Sequence, residues 1–121
     1  PTLKVGNQDT WRAITDVRDL ARALELLADK GEAGGVYNIS GAKTYQIREI
    51  VETARTASQR PLSLETDPAL LRPSDEKVIF GDSSKLIAAT GWKQDIPLTQ
   101  TLQDMLAYWR AVYGGAAERP A

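Results

Sequence analysis

Arg72-Pro73-Ser74-Asp75 sets a guanidinium and a carboxylate three positions apart across a proline. Proline fixes its own φ and biases the preceding residue toward extended backbone, so both side chains leave a stiff stretch of chain in defined directions. A guanidinium held this way meets a diphosphate with paired donors. A carboxylate accepts from two vicinal hydroxyls, such as those of a ribose. The pair therefore has the make-up of half a nucleotide site. From spacing alone, a surface ion pair in a turn, worth about 0–1 kcal/mol, is the more economical reading. Arg12 is a second candidate: it follows Trp11 and stands just before a helix start, where free N–H groups favour an anion. Asp16 and Asp19 crowd that first turn and complement the helix dipole, which leaves a solvated Arg12 as the other reading.

The remaining polar groups lean structural. Gly81-Asp82-Ser83-Ser84 lacks the Gly-x-x-x-x-Gly-Lys spacing of a phosphate loop and reads as a turn with an N-cap. Lys85 falls in a short helix and is expected to be solvated. Gly91-Trp92 reads as a helix stop followed by a core aromatic, with Trp109 in the core and Tyr108 at its rim.

The chain of 121 residues, 42% hydrophobic and 26% charged, has room for one globular domain with a modest core. Fifteen basic against sixteen acidic residues leave a formal net charge of −1, so no global field points to nucleic acid or an anionic membrane. With neither cysteine nor histidine, disulfides, the usual zinc sites and Ser-His or Cys-His catalysis are excluded, and no metal site is expected. No apolar run approaches the roughly 20 residues that span a bilayer, and the absence of cysteine fits a reducing cytoplasm. The first residue is Pro1 rather than Met, so a processed or excised piece is expected.

Several elements are needed to position these groups. Residues 1–14 read as an extended, draped segment. Val17, Leu20, Ala21, Leu24, Leu27 and Ala28 repeat with helical spacing, between an N-cap at Thr15 or Asp16 and a stop at Gly31. Val36 to Ile39 suits a strand, and a second helix is expected after Thr44 on the face Ile47, Ile50, Val51, Ala54. Leu62 and Leu64 alternate as in a half-buried strand, and Asp67-Pro68 caps a short helical turn. Lys77 to Phe80 reads as a strand, followed by a helix capped by Asp82 or Ser83 and ending at Gly91. Thr99 is expected to cap a last helix that turns Leu102, Met105, Leu106, Trp109 and Val112 inward, before a frayed tail.

Taken in order, "LKVGNQDTWRAITDVRDLARALELL", "GGVYNIS", "RPSDEKVIFGDSSKLIAATGW" and "IPLTQTLQDMLAYWR" resemble the C-terminal portion of extended short-chain dehydrogenases acting on nucleotide sugars, the NAD-dependent epimerase/dehydratase family, with GDP-4-keto-6-deoxy-mannose reductases and GDP-mannose 4,6-dehydratases nearest. The likeness runs from about Leu3 to Arg110. It implies that Arg72 and Asp75 hold the nucleotide's diphosphate and ribose. It also implies that Arg12 helps hold the diphosphate and that the backbone at Lys4 and Val5 passes the nucleobase. Ala13 and Ile14 depart from the Asp and aromatic usual after that arginine.

The family's glycine fingerprint and catalytic Tyr-x-x-x-Lys pair are both missing. No two glycines are spaced Gly-x-Gly, and the residues four after Tyr37, Tyr45, Tyr108 and Tyr113 are Gly41, Glu49, Val112 and Ala117. No catalytic or cofactor-binding residue is therefore expected here, and the resemblance puts NAD or NADP on an N-terminal Rossmann domain of the intact enzyme. The expected fold is α/β: residues 1–40 as edge elements of the cofactor domain, 41–113 as a small substrate-binding domain, 114–121 as a disordered tail. The expected partners are a GDP-linked sugar, the missing Rossmann domain and further copies in a homo-oligomer. The alternative is a stand-alone, non-catalytic module that binds a nucleotide or a protein.

Overall fold

The computed structural model describes residues 1–73 and 75–114; Ser74 and the expected tail from 115 onward lie outside the described residues. Two small sheets and four helices form a mixed α/β fold. Strand β1 (Thr2–Val5) pairs in parallel with β4 (Ser63–Thr66). In the second sheet β2 (Trp11–Ala13) lies between β3 (Thr44–Gln46), antiparallel to it, and β5 (Val78–Ile79), parallel to it. Residues 1–14 are thus extended as expected, but they are laddered into two sheets rather than draped.

Helix α1 (Val17–Lys30) starts and stops where its sequence dictates. The Asp16 carboxylate accepts from the Arg18 backbone N–H at 2.9 Å, and Gly31 closes the helix by donating to the Leu27 carbonyl. Helix α2 (Ile47–Ser58) begins later than expected, because Thr44–Gln46 is spent as a strand beside β2. A single 3₁₀ turn, Pro68–Leu70, is capped by Asp67, whose carboxylate accepts from Ala69 N–H. Helix α3 (Ser84–Thr90) follows Asp82, which accepts from Ser84 N–H and is held below its ordinary pKa mainly by that bond. It ends at Gly91, whose φ of 70° suits glycine.

Two expectations fail. Residues 36–39 pair with no strand among the described residues, and Val36 stays 80% exposed. β-branched composition fits a pleated surface, but a ladder also needs a neighbouring edge, and none is supplied. Helix α4 (Leu98–Gly114) starts directly after Pro97, so Thr99 lies inside it and does not cap it. Only Leu98 and Leu102 are buried there, whereas Met105, Trp109 and Val112 are exposed. Helix α2, the element α4 packs against most, covers only part of so wide an apolar face.

The core lies between α1 and α3: Ala23, Leu86 and Trp92, with Leu26, Leu27, Tyr37 and Ile39 half-buried around them. Trp92 donates its indole N–H to the Asp19 carbonyl at 2.9 Å. The two acidic residues of the first helical turn turn out to be buried. The Asp19 side chain is fully enclosed, with Oδ2 accepting from the N–H groups of Asp95 and Ile96 at 3.2 and 3.0 Å. Its Oδ1 lies 2.7 Å from Arg22 Nη2, an ion pair whose angles fall short of a hydrogen bond. Arg22 also donates to the Lys93 carbonyl, so the pair pins the 93–97 segment onto α1.

Asp16 ties α1 to α4 by accepting from the Thr101 hydroxyl at 2.7 Å, while Arg18 reaches Asp104 at 2.8 Å. The Arg18 guanidinium, above all, holds the Asp16 carboxyl well below the usual carboxylate range, against the opposing effect of burial. A group whose pKa is depressed on folding contributes stability that is complete above its unfolded value, here 3.8, and is lost as pH falls through the folded value. Asp16→Asn is therefore expected to lower Tm near neutral pH, with the gap to the parent protein closing as pH falls below that value. A gap that is constant from pH 7 to pH 2 would separate Asp16 from the acid limb.

Candidate functional site

The turn Arg72–Asp75 is the hinge of the site. Asp75 N–H donates to the Arg72 carbonyl at 3.3 Å, which folds the segment back toward β5. Arg72 then lies on one side of the turn and Asp75 and Glu76 on the other. The two side chains do not form the surface ion pair that their spacing allows: among the described residues no carboxylate pairs with Arg72 or with Arg12.

Arg12 reaches the far side of this turn from the centre of the β3-β2-β5 sheet. Its Nη1 donates to the Trp11 carbonyl at 2.8 Å and to the Glu76 carbonyl at 2.9 Å, next to Asp75. Trp11 N–H donates to the Lys77 carbonyl, so β2 and the 75–77 segment are locked at backbone level. Carbonyls rather than a neighbouring carboxylate hold the Arg12 guanidinium, which Ala13 and Ile14 follow in the chain.

Arg72 lies on the near side, where Gly6, Asn7, Gln8, Asp9, Arg48, Thr66 and Leu71 join it around a groove of about 400 Å³. Gly6 makes this approach possible, since a Cβ there would sit 2.9 Å from the Leu70 carbonyl oxygen. Any larger residue would push Leu70, and Arg72 with it, away from the 6–9 loop. Lys4 and Val5 run into the same corner. Ser63 and Asp67 N–H groups donate to the Pro1 and Val5 carbonyls. By the two-residue period of a strand, the Lys4 N–H and C=O therefore face the opposite edge, where no strand is found among the described residues. The Lys4 ammonium lies 3.7 Å from Asp67.

Of the five residues singled out in the sequence, Arg72 lines the groove, Lys4 and Val5 lead into its Gly6, and Arg12 bonds the Glu76 carbonyl next to Asp75. Two groove residues escaped sequence reasoning, Asp9 and Arg48, whose side chains meet at 2.8 Å. The "NQD" run offered a faint signal, since Asn and Asp fix loops by bonding their own backbone, as Asn7 does to Asp9 N–H.

The starts of α1, α2 and α3 have N–H groups already engaged within the chain. The first N–H groups of α2, from Ile47 and Arg48, already donate to the Thr10 and Gln8 carbonyls, and α1 and α3 are capped by Asp16 and Asp82. The β2–α1 connection carries no glycine. No pyrophosphate cradle is formed there. Among the described residues no helix is long and apolar enough to cross a membrane, and no cluster of acidic residues could hold a metal ion.

This arrangement of two small sheets, four helices and an arginine-bearing turn defines the class: the C-terminal part of the extended short-chain dehydrogenase/reductase fold. Residues 1–105 match the family model described as GDP-mannose 4,6 dehydratase, and the chain belongs to that family. It is 35% identical over 109 residues to GDP-6-deoxy-D-mannose reductase of Pseudomonas aeruginosa, covering 90% of this chain and 36% of that protein. Similarity to UDP-glucose 4-epimerase of Halalkalibacterium halodurans is weaker, 26% identity over 77% of this chain and 28% of the relative. Among solved structures, RMD from Pseudomonas aeruginosa complexed with NADPH superposes with a TM-score of 0.84 at 33% identity, over 92% of this chain and 36% of that one. UDP-glucose 4-epimerase from Bifidobacterium longum shares the fold, with a TM-score of 0.77 at 23% identity over 93% of this chain and 36% of that one. The chain thus spans about a third of the length of the relatives it matches.

Proposed function

We propose that this chain is the nucleotide-sugar-binding part of an NAD(P)-dependent reductase or dehydratase that acts on a GDP-linked sugar. Arg72 and Arg12 hold the diphosphate from the two sides of the 72–76 turn, Asp75 accepts from the ribose hydroxyls, and the end of β1 at Lys4 and Val5 flanks the base. The observation that carries this reading is that Arg12 bonds the Glu76 carbonyl, next to Asp75, while Arg72 of the same turn lines an open groove, and neither guanidinium is matched by a carboxylate among the described residues. A dianionic diphosphate supplies the missing charge. The relative complexed with NADPH supports a nicotinamide cofactor for the intact enzyme. The seat of that cofactor lies in the two thirds of the relatives' length that this chain does not match.

Residues 1–40 then form elements at the edge of the cofactor region and 41–113 the substrate-binding region. Val36 and the outer face of α1, with Val17 and Leu24 exposed, support such a covering neighbour and speak against a self-sufficient module. This part of the enzyme contributes grip. Binding energy spent on the nucleotide holds the sugar's reacting carbon against the nicotinamide, which lowers the barrier by positioning rather than by bond-making.

The test is a titration of the chain with GDP, UDP and ADP, followed by amide NMR shifts. The expected shifts cluster at Val5, Arg12, Arg72 and Asp75 and are strongest with GDP. Shifts scattered over α4, or none from a folded sample, would remove this assignment.

A further inference from the structure

The groove beside Arg72 contains a charge pair to which the diphosphate reading gives no task. Asp9 and Arg48 stand 39 positions apart in the chain and meet at 2.8 Å through Oδ1 and Nη2. Both are fixed to backbone. Asp9 N–H donates to Asn7 Oδ1 at 3.0 Å, and Arg48 N–H donates to the Gln8 carbonyl at 3.0 Å, so loop and helix start are held in one frame. Their side chains are 73% and 55% exposed, and pairs so exposed contribute only about 0–1 kcal/mol to stability. Stability gives little reason to build this pair. Asp9 Oδ2 makes no hydrogen bond among the described residues, and Asp9 lines the groove.

We propose that Asp9, oriented by Arg48, reads the guanine base and selects GDP over UDP; this rests on the nucleotide-sugar reading above. Guanine presents two adjacent donors, N1–H and the N2 amine, which a carboxylate accepts through its two oxygens. Next to them stands the O6 acceptor, to which Arg48 can donate. Uracil offers one N–H between two carbonyls, so one of its oxygens would face the carboxylate. That clash is the repulsive half of the selection. Position supports the same partner. Asp9 lies four residues beyond Val5, on the loop that follows β1, and lines the same groove as Arg72.

The experiment is calorimetric titration of the chain and of its Asp9→Asn and Arg72→Ala variants with GDP, UDP and xanthosine diphosphate (XDP). The unaltered chain should prefer GDP to UDP by roughly 10- to 100-fold, the discrimination expected of one bidentate base contact. Xanthine carries a carbonyl where guanine carries the N2 amine, so Asp9→Asn should lose the GDP preference and gain XDP, whose carbonyl accepts from the new carboxamide. A merely structural Asp9 would not produce that exchange. Arg72→Ala should weaken all three nucleotides alike. If Asp9→Asn leaves the three ratios unchanged while Arg72→Ala weakens all of them, the Asp9 assignment falls and the nucleotide reading stands. If a folded chain binds none of the three, or binds them regardless of Arg72, both fall together.

Discussion

Asp19→Ala is expected to cost about 3 kcal/mol of stability, a large share of the 5–15 kcal/mol that holds a domain of this size together. The carboxylate is fully enclosed and is the shared acceptor of two backbone N–H groups, from Asp95 and Ile96. Removing it orphans both donors, while the Arg22 guanidinium, 36% exposed, keeps Asp95 at 3.2 Å as its counter-charge. Leaving two backbone donors without an acceptor in an enclosed site is what makes the loss large; the net worth of the intact ion pair is much smaller. Asp19→Asn keeps the volume and one carbonyl acceptor and should cost less than half as much. Urea unfolding gives the free energy, and hydrogen exchange at Asp95 and Ile96 locates it. Exchange unchanged at those two amides would place the role of Asp19 elsewhere.

Asp19 also shows where sequence reasoning reached and where it stopped. That Asp16 and Asp19 begin a helix followed from their place before an apolar period, and the helix starts and stops as read. Their burial could not be read, because it depends on a segment more than 75 residues downstream folding back over α1. The same holds for strands. Ser63–Thr66 alternates and pairs as expected, yet Thr44–Gln46 looked like the lead-in to a helix because only β2 makes it a strand. Val36–Ile39 had the composition of a strand and no edge to join.

Trp109 was misplaced for a related reason. Helical period shows that a face is apolar; how much of it a partner covers is set by packing, and α2 leaves the C-terminal half of α4 open. In the site, residue chemistry and resemblance singled out both arginines, since a guanidinium near a proline or a helix start stands out in one dimension. Asp9 and Arg48 become a pair only through the β2–β3 ladder, which brings the start of α2 against the 6–10 loop.

Arg72→Ala should weaken GDP binding by roughly 10- to 100-fold, the loss expected for hydrogen bonds to a charged group, about 1.5–3 kcal/mol. The side chain is exposed and pairs with no carboxylate among the described residues, so its removal should leave Tm nearly unchanged. That separation makes the variant informative: a large loss in affinity with an intact fold can only come from a contact with the ligand. Arg72→Lys should recover part of the affinity, because an ammonium keeps the charge but not the paired donors that match two phosphate oxygens. In an enzyme turning over a GDP-sugar, the effect should fall on KM more than on kcat, since a grip on the nucleotide acts equally in ground and transition states. Equal affinity of Arg72→Ala and the unaltered chain for GDP would take the turn out of the site and leave the groove's charge pair without its neighbour.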